Sequence, residues 1–214
     1  MKVGVLISGR GSNLKALIDA CAAPGFPAEI VAVVSNKADA GGLEIARAAG
    51  IPATAISHKD YATREDFDAA MDASLRAAGV EFICSAGFMR ILSDWFVDKW
   101  RDRQLNIHPS LLPAFKGLKV HERVLEAGCR VTGCTVHFVR AAMDEGPIVV
   151  QAAVPVLPGD TVDTLSARVL EAEHRIYPLA LRLVAEGRTR VVDECVVIEG
   201  EAAAAQTPLV VPAG

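Results

Sequence analysis

Along the first hundred residues, short runs of consecutive apolar side chains alternate with segments whose apolar positions recur every three or four residues. The runs at 3–8, 30–35, 54–56 and 81–85 read as buried strands, and Gln104–His108 follows in the same texture. Between them the pattern predicts helices over about 12–21, 42–49 and 63–78, the last with Phe67, Met71 and Leu75 on one face. A short helix carrying Trp95, Phe96 and Trp100 comes next, capped by Ser93 or Asp94. Strands that are apolar on both faces must be covered on both faces. The alternation therefore predicts an α/β fold, a mostly parallel twisted sheet with helices on both sides. Beyond Val131 the texture changes. Residues 131–138 and 148–156 are longer strands joined by the turn-rich loop 139–147, an antiparallel hairpin toward the C-terminus of the sheet. Val162, Leu165, Val169, Ala172, Ile176, Leu179 and Leu183 predict one long helix over 161–187, kinked at Pro178 and ended by Gly187. A single domain is expected over 1–192, with 193–214 a strand followed by a frayed Ala- and Pro-rich tail.

Composition narrows the function. Hydrophobic residues make up 51% and charged residues 22% of the 214, which supports a packed core over most of the length. The formal net charge of −4 argues against wholesale binding to nucleic acid or to an anionic membrane, and no apolar run is long enough for a transmembrane helix. An anionic ligand must then be held by local devices such as a helix N-terminus. The five cysteines (Cys21, Cys84, Cys129, Cys134, Cys195) form no C-x-x-C pair, and the apolar start is too short for a signal peptide, so a cytoplasmic chain with free thiols is expected. Metal signatures fail: Leu125 stands where a second histidine would complete the pattern begun by His121-Glu122, and Glu171-Ala172-Glu173-His174 holds a single E-x-x-H. No metal is expected.

Two stretches carry candidate chemistry. Ser8-Gly9-Arg10-Gly11-Ser12-Asn13-Leu14 joins the first strand to the first helix, where the free N–H groups of Gly11, Ser12 and Asn13 can meet an anion. Leu14 occupies the place of the third small residue of a dinucleotide fingerprint, and no acidic residue ends the second strand, so a phosphate monoester suits the loop better than NAD. A tight turn with Ser12 or Asn13 as helix cap is the plainer reading of the same residues. In Gln104-Leu105-Asn106-Ile107-His108-Pro109, strand alternation puts Asn106 and His108 on one face. An amide donor beside an imidazole suits stabilisation of an oxyanion and protonation of a leaving group, although a buried hydrogen-bonded histidine is the bland alternative. Asp144 sits in the 139–147 loop. Folded over the carboxyl edge of the sheet, it would meet His108 and favour the imidazolium; otherwise it is an ordinary turn residue.

Five motifs then resemble one family. Ile7-Ser8-Gly9-x-Gly11-Ser12-Asn13-Leu14, Ser35-Asn36-Lys37-Ala38-Asp39-Ala40, Ala86-Gly87-Phe88-Met89-Arg90-Ile91-Leu92, Asn106-Ile107-His108-Pro109-Ser110-Leu111-Leu112-Pro113 and Thr135-Val136-His137-Phe138-Val139 occur in the order and spacing of the phosphoribosylglycinamide formyltransferase family. The likeness covers about residues 2–192. It implies a Rossmann-like formyltransferase fold and transfer of a formyl group from 10-formyltetrahydrofolate, the co-substrate, to the glycine amine of a ribonucleotide in purine synthesis. Asn106, His108 and Asp144 match the catalytic set. Gly11, Ser12, Asn13, Leu14 and Lys15 match the phosphate loop, and Glu173 matches a residue that binds the ribose hydroxyls. Arg64, Met89, Arg90, Ile91, Leu92 and again Asn106 match folate contacts, with the 139–144 segment enclosing the pterin. The Ala141-Ala142 pair departs from the family by making that segment less polar, which leaves pterin recognition to backbone groups. Small-molecule partners and a monomer or homodimer follow from the same likeness. The rivals are a methionyl-tRNA formyltransferase, a formyltetrahydrofolate hydrolase and a non-catalytic nucleotide-binding module. The first two usually carry a further domain.

Overall fold

The computed structural model describes residues 1–200 and 209–211. The chain forms β1 (Lys2–Ile7), α1 (Ser12–Cys21), β2 (Glu29–Ser35), α2 (Gly41–Ala48), β3 (Ala53–Ala55), a 3₁₀ turn at His58–Asp60, α3 (Arg64–Ala77), β4 (Phe82–Ser85) and α4 (Asp94–Lys99). It continues through β5 (Gln104–His108), α5 (Val120–Glu126), β6 (Val131–Phe138), β7 (Ile148–Pro155), α6 (Val162–Ala185), β8 (Thr189–Val192) and β9 (Cys195–Ile198). The main sheet has the order β3-β2-β1-β4-β5-β6-β7. Its first five strands are parallel, while β6 runs antiparallel to β5 and to β7. This is the expected parallel sheet with an antiparallel hairpin.

Strand alternation sorts the core into two layers. Val3, Val5 and Ile7 of β1 join Leu14 and Leu17 of α1, Leu43 of α2, Val124 of α5 and Leu165, Val169 and Tyr177 of α6 on one face. Leu6 turns the other way, toward Phe67, Met71 and Leu75 of α3, Phe96 of α4 and Trp100 at the C-terminal cap of that helix. Gly4 leaves room for this second layer, because a Cβ there would lie 2.6 Å from a Leu75 methyl. Sheet and helices therefore bury continuous apolar strands on both faces, as the composition of those strands requires.

Local signals set the ends of the helices. Thr63 and Ser93 accept the N–H groups of Asp66 and Phe96, so the cap of α4 is Ser93 and not Asp94. Thr161 and Thr164 cap α6 reciprocally. The helix continues through Pro178, and at Gly187 (φ 70°) the N–H groups of Gly187 and Arg188 bond back to Val184 and Leu183. Three elements lie outside the sequence expectations: the 3₁₀ turn, α5, and the pairing of β8 with β9 into a second small sheet. The domain boundary expected after Val192 falls between those two paired strands. The tail expected to be frayed lies, at 201–208 and 212–214, outside the described residues.

Candidate active site

The chain runs outward from β1 to β2 and β3, then returns to place β4 on the other flank of β1. Neighbouring connections thus leave the carboxyl ends of β1 and β4 in opposite directions and open a crevice between them. A cavity of about 640 Å³ occupies this edge, extending over the ends of β4 and β5 to the 139–147 loop. Asn106, His108 and Asp144 all line it, as do Asn13 and Glu173.

The three groups singled out around the Asn-His strand meet. His108 is 6% exposed at the end of β5, and its Nδ1 lies 3.4 Å from Asp144 Oδ2. Its Nε2 faces the carbonyl of Phe115 at 3.0 Å, so a doubly protonated ring would donate at both nitrogens. Asp144 adopts φ 57°, a left-handed conformation that Asp tolerates better than most residues, and Oδ2 also accepts the N–H of Gly117 at 2.8 Å. The loop can close over the sheet because Gly146 has no side chain: a Cβ there would stand 1.7 Å from the carbonyl oxygen of Phe138.

His137 joins this cluster, although only its surrounding motif was singled out from the sequence. It lies opposite Asn106 across the β5–β6 ladder, with its Nε2 3.3 Å from the Asn106 amide nitrogen and 3.9 Å from Asp144 Oδ1. Burial pushes its pKa down, against the opposing pull of the Phe138 carbonyl and of Asp144. A neutral His137 donates from Nδ1 to the Phe138 carbonyl at 2.9 Å and accepts at Nε2 from the Asn106 amide. That contact fixes which end of the Asn106 amide is the donor end. The signal was present in the alternation of β6, where Thr135 and His137 are polar between apolar Cys134, Val136 and Phe138, and an antiparallel partner of the Asn-His strand must share its polar face. Thr135, opposite His108, bonds the Ser110 carbonyl at 2.7 Å and the Leu112 N–H at 3.1 Å, anchoring the exit from β5.

At the other end of the cavity the glycine loop turns into α1. Gly11 has φ 84°, and a Cβ on it would lie 2.5 Å from Gly42 Cα, so the loop and the start of α2 pack backbone to backbone. No side chain caps α1. Neither Ser12 nor Asn13 plays that part, and the first N–H groups of the helix are left for another acceptor. Asn13 is buried; its amide nitrogen donates to Glu173 Oε2 at 2.7 Å, while its Oδ1 is buried with no partner. Burial raises the Glu173 carboxyl, partly offset by this bond. Leu14 sits in the core beneath the loop. Lys15 is exposed and paired with Asp19.

Of the folate-matching residues, Met89, Arg90, Ile91 and Leu92 line the cavity. Arg64 begins α3 on the exposed surface, away from the cavity lining. Ser8 joins the two ends: its hydroxyl donates to Asn36 Oδ1 at 2.6 Å and accepts the N–H of Met89 at 2.7 Å. Tyr177 of α6 reaches under the floor to the carbonyls of Ser85 and Leu105, at 3.0 and 3.3 Å. Among the described residues, no group of three or more His, Cys, Asp and Glu side chains is arranged to hold a metal ion.

The crevice of a doubly wound sheet, with an amide, two imidazoles and a carboxylate around one space, defines a site suited to group transfer. The sequence profile of the formyl transferase family matches residues 1–181, and the chain belongs to that family. It is 43% identical over 201 residues to a phosphoribosylglycinamide formyltransferase of Haemophilus influenzae, covering 94% of this chain and 95% of that protein. It is 60% identical over 191 residues to the trifunctional purine biosynthetic protein adenosine-3 of Gallus gallus, covering 89% of this chain but only 19% of that longer protein. Among solved structures, glycinamide ribonucleotide transformylase 1 from Symbiobacterium toebii superposes with a TM-score of 0.91 at 51% identity, over 92% of this chain and 93% of that one.

Proposed function

We propose that this chain transfers the formyl group of 10-formyltetrahydrofolate to the glycine amine of N1-(5-phosphoribosyl)glycinamide. The products are the N-formyl ribonucleotide and tetrahydrofolate, in purine biosynthesis. The observation that carries the reading is the meeting of Asn106, His108 and Asp144 in one cavity whose far end holds Asn13 and Glu173. The ribonucleotide phosphate would sit against the free N–H groups of the loop formed by Gly11, Ser12, Asn13, Leu14 and Lys15, and the ribose hydroxyls would meet Glu173. Met89, Arg90, Ile91 and Leu92 would flank the folate, with Arg64 as an outer contact. The amine then lies between the phosphate end and the formyl donor, near the carboxylate.

The neutral amine attacks the formyl carbon and a tetrahedral intermediate forms. Charge develops on its oxygen, where the free N–H of Asn106 donates and a protonated His108 donates by giving up the Nε2 bond to the Phe115 carbonyl while Nδ1 stays with Asp144. The amine loses a proton, N10 of the folate gains one, and the carbon–N10 bond breaks. Asp144, directly or through an ordered water, carries that proton and pairs with His108. Binding both substrates together makes a covalent enzyme intermediate unnecessary. The reading implies a cytoplasmic enzyme acting on small molecules, as a monomer or homodimer.

Steady-state kinetics test it. His108→Ala and Asp144→Asn should each lower kcat by ~10²–10³, the usual cost of one such group. Near-wild-type turnover in either variant removes the scheme. Formyl release must also depend on the ribonucleotide; equal release without it would make the chain a hydrolase.

A further inference from the structure

Arg140 opens the 139–147 loop and lies four positions before Asp144, yet its side chain is only 9% exposed. Its Nε donates to Glu194 Oε2 at 2.6 Å, its Nη2 to Asp102 Oδ1 at 2.7 Å and its Nη1 to the Val139 carbonyl at 3.0 Å. The other oxygen of Glu194 takes Arg101. One guanidinium therefore ties together the loop that carries Asp144, the turn leading into the Asn106 strand, and the β8–β9 hairpin. Arg140, Ala141, Met143 and Asp144 all stand in the cavity wall, so a shift of this tie is a shift of the wall.

The hairpin turn shows what Glu194 contributes. Asp193 and Glu194 form a two-residue connection between the paired Val192 and Cys195, with φ of 50° and 57°. Both residues are left-handed, as the turns that match the strand twist require, and glycine is the favoured residue at the second position. Glutamate accepts the strain of that conformation. The one thing it supplies that glycine cannot is the carboxylate, which reaches two arginines from other segments. Strain held at a charged residue with long-range partners motivates a functional reading. The Arg140 hydrogen bond, more than any other influence, holds the Glu194 carboxyl below the usual range, in keeping with a standing ion pair.

We infer that Glu194 is a positioning residue for the formyl-donor end of the cavity: the β8–β9 hairpin is a clasp that sets the 139–147 loop, and Asp144 with it, through Arg140. The kinetic part of this inference rests on the function proposed above, whereas the order of the loop does not.

The test uses the full chain and two variants, Glu194→Gln and Glu194→Gly. The first keeps the side-chain shape and removes the charge; the second relaxes the turn and removes the carboxylate. Both should speed amide hydrogen exchange across residues 139–146 and leave exchange at α1 unchanged. Both should raise KM for 10-formyltetrahydrofolate about threefold, as loss of a partly exposed ion pair implies, with KM for the ribonucleotide unaltered. A hairpin that is merely structural predicts the opposite for Glu194→Gly, a better turn and an unchanged loop. Unchanged loop exchange in both variants, or equal movement of the two KM values, overturns the clasp. If the wild-type chain transfers no formyl group, the proposed function fails, and the exchange data still decide the clasp.

Discussion

The two ends of the cavity are built differently. At the glycine-loop end, Gly11 and Gly42 meet backbone to backbone, Leu14 is locked in the core, and helix α1 offers its uncapped N–H groups. Position there comes from packing, and the donors belong to the main chain. At the loop 139–147 end, the neck is closed by Gly146, but the body of the loop is oriented by side chains: Arg140 toward Asp102 and Glu194, Lys116 toward Glu145, and Asp144 toward His108 and Gly117. Met143 is 55% exposed on this side. An end fixed by packing tolerates no added methyl group and is indifferent to salt. An end fixed by ion pairs tolerates side-chain changes that spare its charges and loosens as salt screens them.

Of the substitutions that probe this contrast between the two ends, Gly11→Ala should have the largest effect. Gly11→Ala forces a Cβ against Gly42 at a positive φ, and should cost about 2 kcal/mol of stability and raise the ribonucleotide KM at least about tenfold. Urea unfolding and initial rates measure both, and an unchanged ribonucleotide KM would show that the loop is not fixed by packing.

Three histidines outside the Asn106–His108–Asp144 set make a pH prediction. Burial, the main influence in each case, holds His121, His137 and His174 below the ordinary imidazole value. Their folded forms resist protonation while the unfolded chain accepts it. Stability is therefore full above the unfolded histidine pKa of about 6.5 and falls as pH drops below it. Thermal unfolding at about pH 7.5 and about pH 5.5 should show the decline, and His137→Gln should reduce it. A decline in His137→Gln as large as in the unsubstituted chain would mean that the His137 ring is protonated in place.

A smaller effect is expected at Glu173. Its raised carboxyl means that the ionised form costs folding free energy once pH rises past its folded pKa. Glu173→Gln should stabilise the empty protein at neutral pH, and weaken ribonucleotide binding. A variant that loses stability would place the carboxylate among the packing contacts of that end. Smallest of all is Ala141→Ser, which should change the formyl-donor KM by less than about twofold, because Arg140 and the backbone position the loop. A large change would mean that side-chain packing also governs this end.

Much of this organisation is legible in the residues. Asn106 and His108 share a face because strand side chains alternate, and a polar pair at the end of a buried strand needs partners. Thr63, Thr161 and Gly187 mark helix ends through local hydrogen bonding, which depends on near neighbours alone. His137 was overlooked as a site residue because its role exists only across the β5–β6 ladder, and register between strands separated by more than twenty residues is not a local property. Helix α5 escaped because its apolar side, Val120 and Val124, offers only two buried positions, too few for a periodicity to stand out. Arg140 and Glu194 are 54 residues apart and look like ordinary surface charges until the hairpin brings them together.

The chain alone determined the alternation of buried strands and amphipathic helices, the glycine turn after the first strand and the same-face amide and imidazole, since each depends on the backbone over a few residues. Tertiary structure decided the rest. Asp144 reaches His108, His137 orients Asn106, Asn13 meets Glu173 across a separation of 160 positions, and the β8–β9 turn is tied to the 139–147 loop through Arg140. These contacts pair segments whose distance in space is set by sheet order and loop closure, and no pattern of neighbouring residues encodes that distance.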